Sequence, residues 1–383
     1  MGRPDPDAEN AVIHSEEAFG IALTFHSKSD VTIELEGTNQ VSSATWANGI
    51  LGGSYSCGVW LYTDSLNAAG SKVTIRETEA GGSLTATGGS VASGNTGTAV
   101  CGYSAGIGVA AASINSGSSE CGLSLTLESG AVTARGGTED DSSGGNMTVS
   151  AGACLHNSAF TITGGSADLA DSSEAAEGSR CWLGAGVYMD DTVCAFRLEG
   201  GELKAAGQNG EEHGSGICGL KSNHPVALAG GTAEISGSEY GIAPDPFGII
   251  YEEILDVTVT GGDITLQGEV LACEQTQNTI APVQGQRIMA VGGSSEADAA
   301  TVAGFPFTSE GTADLSGCQY VKLYTEDLSS PTIENPSSYH IPAGPVGTSY
   351  RSEQPLNIQG GEAPIPSAFP PRWRGCPSMR KII

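Results

Sequence analysis

The sequence predicts an all-β fold, a right-handed single-stranded parallel β-helix of roughly seven coils with three short strands per coil. Three observations predict it. A unit of strand, Gly-Gly and strand recurs along the chain. Apolar residues alternate at period two on both sides of each Gly-Gly pair. The copies follow one another too closely to be separate domains.

The clearest copies are Phe160-Thr161-Ile162-Thr163 before Gly164-Gly165, Phe196-Arg197-Leu198-Glu199 before Gly200-Gly201, Val226-Ala227-Leu228-Ala229 before Gly230-Gly231, and Val257-Thr258-Val259-Thr260 before Gly261-Gly262. Their Gly-Gly pairs begin at 164, 200, 230 and 261, steps of 36, 30 and 31 residues. Looser copies precede them, at Val31–Leu35, Val73–Ile75 and Leu125–Glu128. Period-two alternation puts Phe160, Ile162, Phe196, Leu198, Val226, Leu228, Val257 and Val259 on one face. The strand after each pair then has an inward row of Ala86, Ala134, Leu169, Ala205, Ile235 and Leu266. A neighbouring inward row holds Leu203, Ala233 and Ile264. The outward row reads Thr85, Thr133, Asp168, Lys204, Glu234 and Thr265, which sets Lys204 between two acids. A third strand opens each coil at a glycine followed by an apolar residue: Gly20-Ile21, Gly58-Val59, Gly106-Ile107, Gly186-Val187, Gly216-Ile217 and Gly241-Ile242.

Alternatives fit less well. A β-sandwich meander needs tight polar hairpins between its strands. A propeller blade needs about 40–50 residues. Collagen requires glycine at every third position. The predicted organisation is a cap or partial coil over 1–19, the β-helix over 20–325, and a Pro/Ser-rich extended or disordered tail over 326–383.

Composition narrows the function. The 383 residues carry a net charge of −28, which repels phosphate backbones and argues against nucleic-acid binding. No apolar run approaches the ~18 residues of a membrane span, so no membrane insertion is expected. The ten cysteines form no CxxC pair and no zinc-finger spacing, and most read as small buried hydrophobes. The opening Met1–Asp5 does not read as a signal peptide, which leaves an intracellular chain or one that lacks its export signal.

The Val-Thr-Val-Thr-Gly-Gly motifs, the Gly-Ile strand starts and the closing Tyr320-Val321-Lys322-Leu323 resemble Gly-rich parallel β-helix repeat proteins of bacterial, especially Firmicute, cell surfaces. The likeness covers roughly residues 18–325. It implies an extracellular or wall-associated protein of adhesin-like or carbohydrate-binding character.

Three sets of residues are candidates for function. Registered coils would put Ala22, Trp60, Gly108, Cys154, Tyr188, Cys218 and Ala243 in one outward row, with Tyr62 and Asp190 at the next position. Small residues between Trp60 and Tyr188 would leave a shallow groove whose aromatic rims stack on sugar rings. The expected ligand-binding residues are therefore Trp60, Tyr62, Tyr188 and Asp190, with a polysaccharide or glycan as partner and the chain a monomer. A second set resembles polygalacturonases, which are β-helices that use Asp-Asp and a downstream Gly-His-Gly: here Asp190-Asp191 and, 22 residues on, His213-Gly214. Glu212 precedes His213 in place of a glycine, so the reading favours no catalysis while naming Asp190, Asp191 and His213 as its candidates. The third set is acidic. Asp140, Asp141, Asp168 and Asp171 are candidate Ca²⁺ ligands without a Ca²⁺-loop signature; no other cofactor is expected. A site-free spacer rod is the remaining reading.

Overall fold

The computed structural model describes residues 12–14, 21–26, 30–44, 54–63, 71–91, 102–111, 121–138, 148–172, 181–190, 193–208, 210, 213–219, 225–244, 254–274, 276–306, 311–312, 315 and 317–327. The chain divides into two compact units, Met1–Glu326 and Asp327–Ile383. Of the second, only Asp327 is among the described residues.

The described part of the first unit is all-β and mostly parallel. Its strands form an 18-stranded sheet, here sheet A, and an 8-stranded sheet, sheet B. Each middle repeat gives one strand to sheet B and then two to sheet A. Thr148–His156, Ser158–Ile162 and Ser166–Ala170 are followed by Leu183–Asp190, Ala195–Leu198 and Glu202–Gly207, and then by His213–Gly219, Val226–Leu228 and Thr232–Gly237. Equivalent strands pair in parallel, so a side chain stands beside its counterpart one repeat away, about 4.8 Å along the stack.

The predicted inward rows form as expected. Leu84, Val132, Ala167, Leu203, Ala233 and Ile264 are successive partners, and all are buried. So are Ala86, Ala134, Leu169, Ala205, Ile235 and Leu266. Phe160 and Phe196 meet edge to face, with centroids 5.8 Å apart. The outward row also keeps its register, but its strongest ion pair is different from the expected one. Arg135, at the end of the strand Ala131–Arg135, bonds the Asp168 carboxylate at 2.6 Å and the Asp168 carbonyl oxygen at 2.7 Å. With the two side chains 22% and 40% exposed, that pair contributes at most about 1 kcal/mol.

The Gly-Gly corners explain themselves by geometry. The second glycine has a positive φ at Gly165 (71°), Gly201 (74°) and Gly231 (71°), a conformation open to glycine and costly for other residues. A β-carbon at Gly201 would also lie 2.5 Å from the carbonyl oxygen of Gly165 one repeat below.

The other glycine column marks a pinch between the sheets. A β-carbon at Gly106 would stand 2.5 Å from the backbone nitrogen of Arg135, and one at Gly186 2.5 Å from that of Ala206. Sheet B therefore touches the end of sheet A backbone to backbone. The main core lies on one side of this pinch. On the other side a second apolar cluster forms on the outer face of sheet B, including Cys57, Tyr103, Val149, Leu183 and Tyr188.

Beside the pinch runs a short ladder of buried serines. Ser104 Oγ donates to the Gly89 carbonyl oxygen at 2.6 Å and accepts from Gly137 N–H at 2.7 Å. Ser150 Oγ donates to the Gly137 carbonyl oxygen at 2.7 Å and accepts from Ser172 N–H at 3.1 Å. Each hydroxyl thus ties one turn to the next and satisfies buried peptide groups that would otherwise be costly.

Parallel pairing continues two strands past the last clear sequence repeat, with Leu271–Cys273 in sheet B and Thr276–Ile280 in sheet A. The chain then reverses. Gln286–Gly293 and Ala300–Pro306 pair antiparallel, and Tyr320–Asp327 runs antiparallel to Asp263–Gly268. The expected run of coils to 325 therefore stops short, and the described strands from Gln286 on form an antiparallel end piece. It covers the last edge of sheet A at Asp263–Gly268 and so removes a template for edge-to-edge aggregation. No helix long and apolar enough to cross a membrane occurs among the described residues.

The cysteines described are free thiols, mostly buried. Burial pushes Cys57 and Cys273 up to about 12 and raises Cys154 and Cys194 as well. Unfolded thiols ionise near pH 8.5, whereas these remain neutral in the folded state. Their contribution to stability is therefore complete below about pH 8.5 and is lost as pH rises toward the folded values. The urea midpoint is expected to fall steadily above that pH, and to fall less steeply in Cys57→Ala. Equal slopes for the two proteins would refute this.

Candidate functional site

The outer face of sheet B is built by a repeated local sequence. Tyr55-Ser56-Cys57-Gly58, Tyr103-Ser104-Ala105-Gly106, Val149-Ser150-Ala151-Gly152, Leu183-Gly184-Ala185-Gly186 and His213-Gly214-Ser215-Gly216 are aligned by register. Their first residues form an outer row of Tyr55, Tyr103, Val149, Leu183 and His213. Their third residues form a small-residue row that leads to Tyr240 and then Leu271. After the glycine, where the strand meets sheet A, the next outer row is Thr24, Trp60, Gly108, Cys154, Tyr188, Cys218 and Ala243.

That row is the predicted one with a single change: Thr24 replaces Ala22. The first strand is displaced by two residues, which keeps inside and outside unchanged and pairs Leu23 with Val59 and Phe25 with Leu61. Large apolar side chains thereby meet in the core.

The expected open groove is corrected at its far rim. Tyr188 is only 1% exposed, and Cys154, Cys218 and Ala243 are buried with it. Tyr188 packs within the second apolar cluster and approaches Tyr103, with ring centroids 5.9 Å apart. Trp60 and Tyr62 are half-buried. The indole of Trp60 lies over Gly108, where a β-carbon would come within 2.3 Å of its six-membered ring. Glycine there lets the ring settle onto the sheet.

The half-open part of the face lies at Trp60 and the row beyond it. The rings of Trp60 and Tyr62 are nearly parallel, 17° apart with centroids at 6.4 Å. His26, exposed and the register partner of Tyr62, stacks on it at 5.5 Å and 25°. The row continues through Ala110 and His156 to Asp190. His156 Nδ1 and Asp190 Oδ2 are 3.3 Å apart. Tyr62 and Asp190 thus share one row, as expected, at opposite ends.

The enzyme candidates are not brought together. His213 opens its strand and pairs with Leu183, whereas Asp190 closes the strand Leu183–Asp190. Seven strand residues put them roughly 20 Å apart. An inverting carboxylate pair works across about 6.5–9.5 Å, and a tuning His must reach it. His213 instead holds Glu239 at 2.6 Å. Asp191 lies outside the described residues.

The Ca²⁺ candidates also separate. Asp168 points out of sheet A to Arg135. Asp171 is 1% exposed, and its carboxylate fills the space over Gly184 that serine hydroxyls occupy in earlier repeats. Asp140 and Asp141 lie outside the described residues. Among the described residues, no group of three or more His, Cys, Asp or Glu side chains is placed to hold a metal ion.

Sequence reasoning missed Tyr55, Tyr103, Trp182, Glu239 and Tyr240. For the first two a signal existed, since Tyr-Ser-small-Gly recurs at 55 and 103. Trp182 and Glu239 carry no such pattern; only their contacts in the folded chain show them as neighbours of His213. Comparison of the chain with family models, with curated proteins and with solved structures finds no match.

Proposed function

We propose that the chain is a right-handed parallel β-helix of the extracellular or cell-surface kind, and that it binds a glycan non-catalytically on the outer face of sheet B. The β-helix reading is supported by the parallel register of successive repeats, by two sheets that share one core, and by the general right-handed preference of parallel crossovers. Location at the surface rests on the resemblance to Gly-rich Firmicute repeat proteins. The observation that carries the binding reading is the aromatic group Trp60, Tyr62 and His26. Three rings with nearly parallel planes, partly open to solvent, are fixed on a stack of strands that cannot easily flex. Flat aromatic rings offer apolar faces to sugar C–H groups, and a preformed platform avoids the entropy of ordering it on binding.

A glycan array covering plant, host and bacterial structures, run on the wild type, Trp60→Ala and Tyr62→Ala, tests this. Loss of the anchoring ring is expected to weaken binding about tenfold or more. Binding is expected to survive a chelator, because Asp168 and Asp171 face different surroundings. No binding to any glycan would reject the reading and leave a spacer rod.

A further inference from the structure

Charge is segregated between the two sheets. Every described Lys and Arg, from Lys72 to Lys322, lies on a strand of sheet A. The described strands of sheet B contain neither residue. Two acids near that sheet, Asp190 and Glu239, stand beside imidazole rings. Trp182 meets the His213 imidazole edge to face at 4.5 Å. His213 Nδ1 lies 2.6 Å from Glu239 Oε2, and both side chains are just over a quarter exposed. Tyr240 follows Glu239 and is the register partner of the buried Ser215 on the neighbouring strand. Burial first, then the Glu239 and Glu274 carboxylates, raises the Tyr240 hydroxyl above its ordinary value.

Aromatic faces beside carboxylates, with no competing Lys or Arg among the described residues of the sheet, suit a cation. An anionic ligand would meet repulsion from a chain of net charge −28. A neutral sugar would use the rings and leave the carboxylates with hydroxyl partners only. We infer that Trp182, His213, Glu239 and Tyr240 form a subsite for a glycan bearing a protonated amine, an amino sugar whose nitrogen is not acylated. The inference rests on the glycan reading and narrows it to a substrate class. It concerns residues away from Trp60 and Tyr62.

The test compares a β-linked glucosamine trisaccharide with its N-acetylated counterpart by titration calorimetry on the full chain, at a pH where the free amine is protonated. The two ligands share a backbone and differ in charge. The free-amine sugar is expected to bind about tenfold tighter, with the advantage shrinking in high salt. Trp182→Ala leaves the protein's charge untouched and is expected to reduce that preference severalfold, as is Glu239→Gln, with folding checked by far-UV circular dichroism. Tyr62→Ala, four strands away across sheet B, is expected to leave both affinities at this subsite and their ratio unchanged. Equal affinity for the two sugars overturns the inference. An amine preference unaffected by Trp182→Ala also overturns it, since diffuse attraction to an acidic surface would then suffice. Failure of both trisaccharides while the wild type still binds other glycans rejects the amine subsite alone. Failure of every glycan rejects the broader reading with it.

Discussion

Gly106→Val is expected to destabilise the centre of the stack by at least ~3 kcal/mol, the upper range for overpacking, because the obstruction is backbone. The new β-carbon would lie 2.5 Å from the Arg135 nitrogen and 2.7 Å from both the Ala86 carbonyl oxygen and the Ala134 β-carbon. None of these belongs to a flexible side-chain end. The two sheets must part, and parting opens the main core and the outer apolar cluster together. Repeat proteins transmit damage mainly to neighbouring repeats. Amide exchange should therefore quicken first at Val59, Leu61, Ala153 and Leu155, the adjacent strands of sheet B. Thr133→Val, on the outward row, is expected to stay within about 0.5 kcal/mol of wild type. An unchanged urea midpoint for Gly106→Val would show that the pinch is not a real contact.

The second large effect is expected at Phe196. Its ring is fully buried and packs edge to face on Phe160 in the neighbouring repeat. Phe196→Ala should cost ~3–5 kcal/mol, since it removes a large apolar side chain and leaves a cavity that sheets hydrogen-bonded along their whole length cannot close. Phe160→Ala should cost a similar amount. The double variant should cost less than the sum by ~0.5–1.5 kcal/mol, the worth of the ring–ring contact itself. Strict additivity would mean that the two rings do not interact across the repeat boundary.

These expectations differ in how far the sequence alone supports them. Phe160 and Phe196 occupy the same place in two copies of one motif, so their burial and their neighbourhood follow from period and alignment. The importance of Gly106 is only half visible. A recurring glycine before an apolar residue signals a special position, but what it accommodates is the end of a strand 29 residues further on, at Arg135. The candidate site divides similarly. The row through Trp60, Gly108, Cys154 and Tyr188 was legible because a shared register converts spacing into proximity. Its exposure was not legible. Whether an outward residue meets solvent depends on what else packs on that face, and sheet B has a second apolar layer there.

The sequence by itself determined the strand–corner–strand unit, the inward and outward rows, and the closing of each corner on glycine. Those are consequences of local alternation and local backbone freedom, which a repeating sequence states many times over. Only the tertiary structure decided that Tyr188 is buried, that Asp190 and His213 stand at opposite ends of their strands, and that the last strands turn antiparallel. It also decided that Trp182, His213 and Glu239 meet. Each of these depends on side chains from separate repeats, whose approach is governed by the stacking of strands and by which groups can desolvate one another. No single stretch of sequence contains that information.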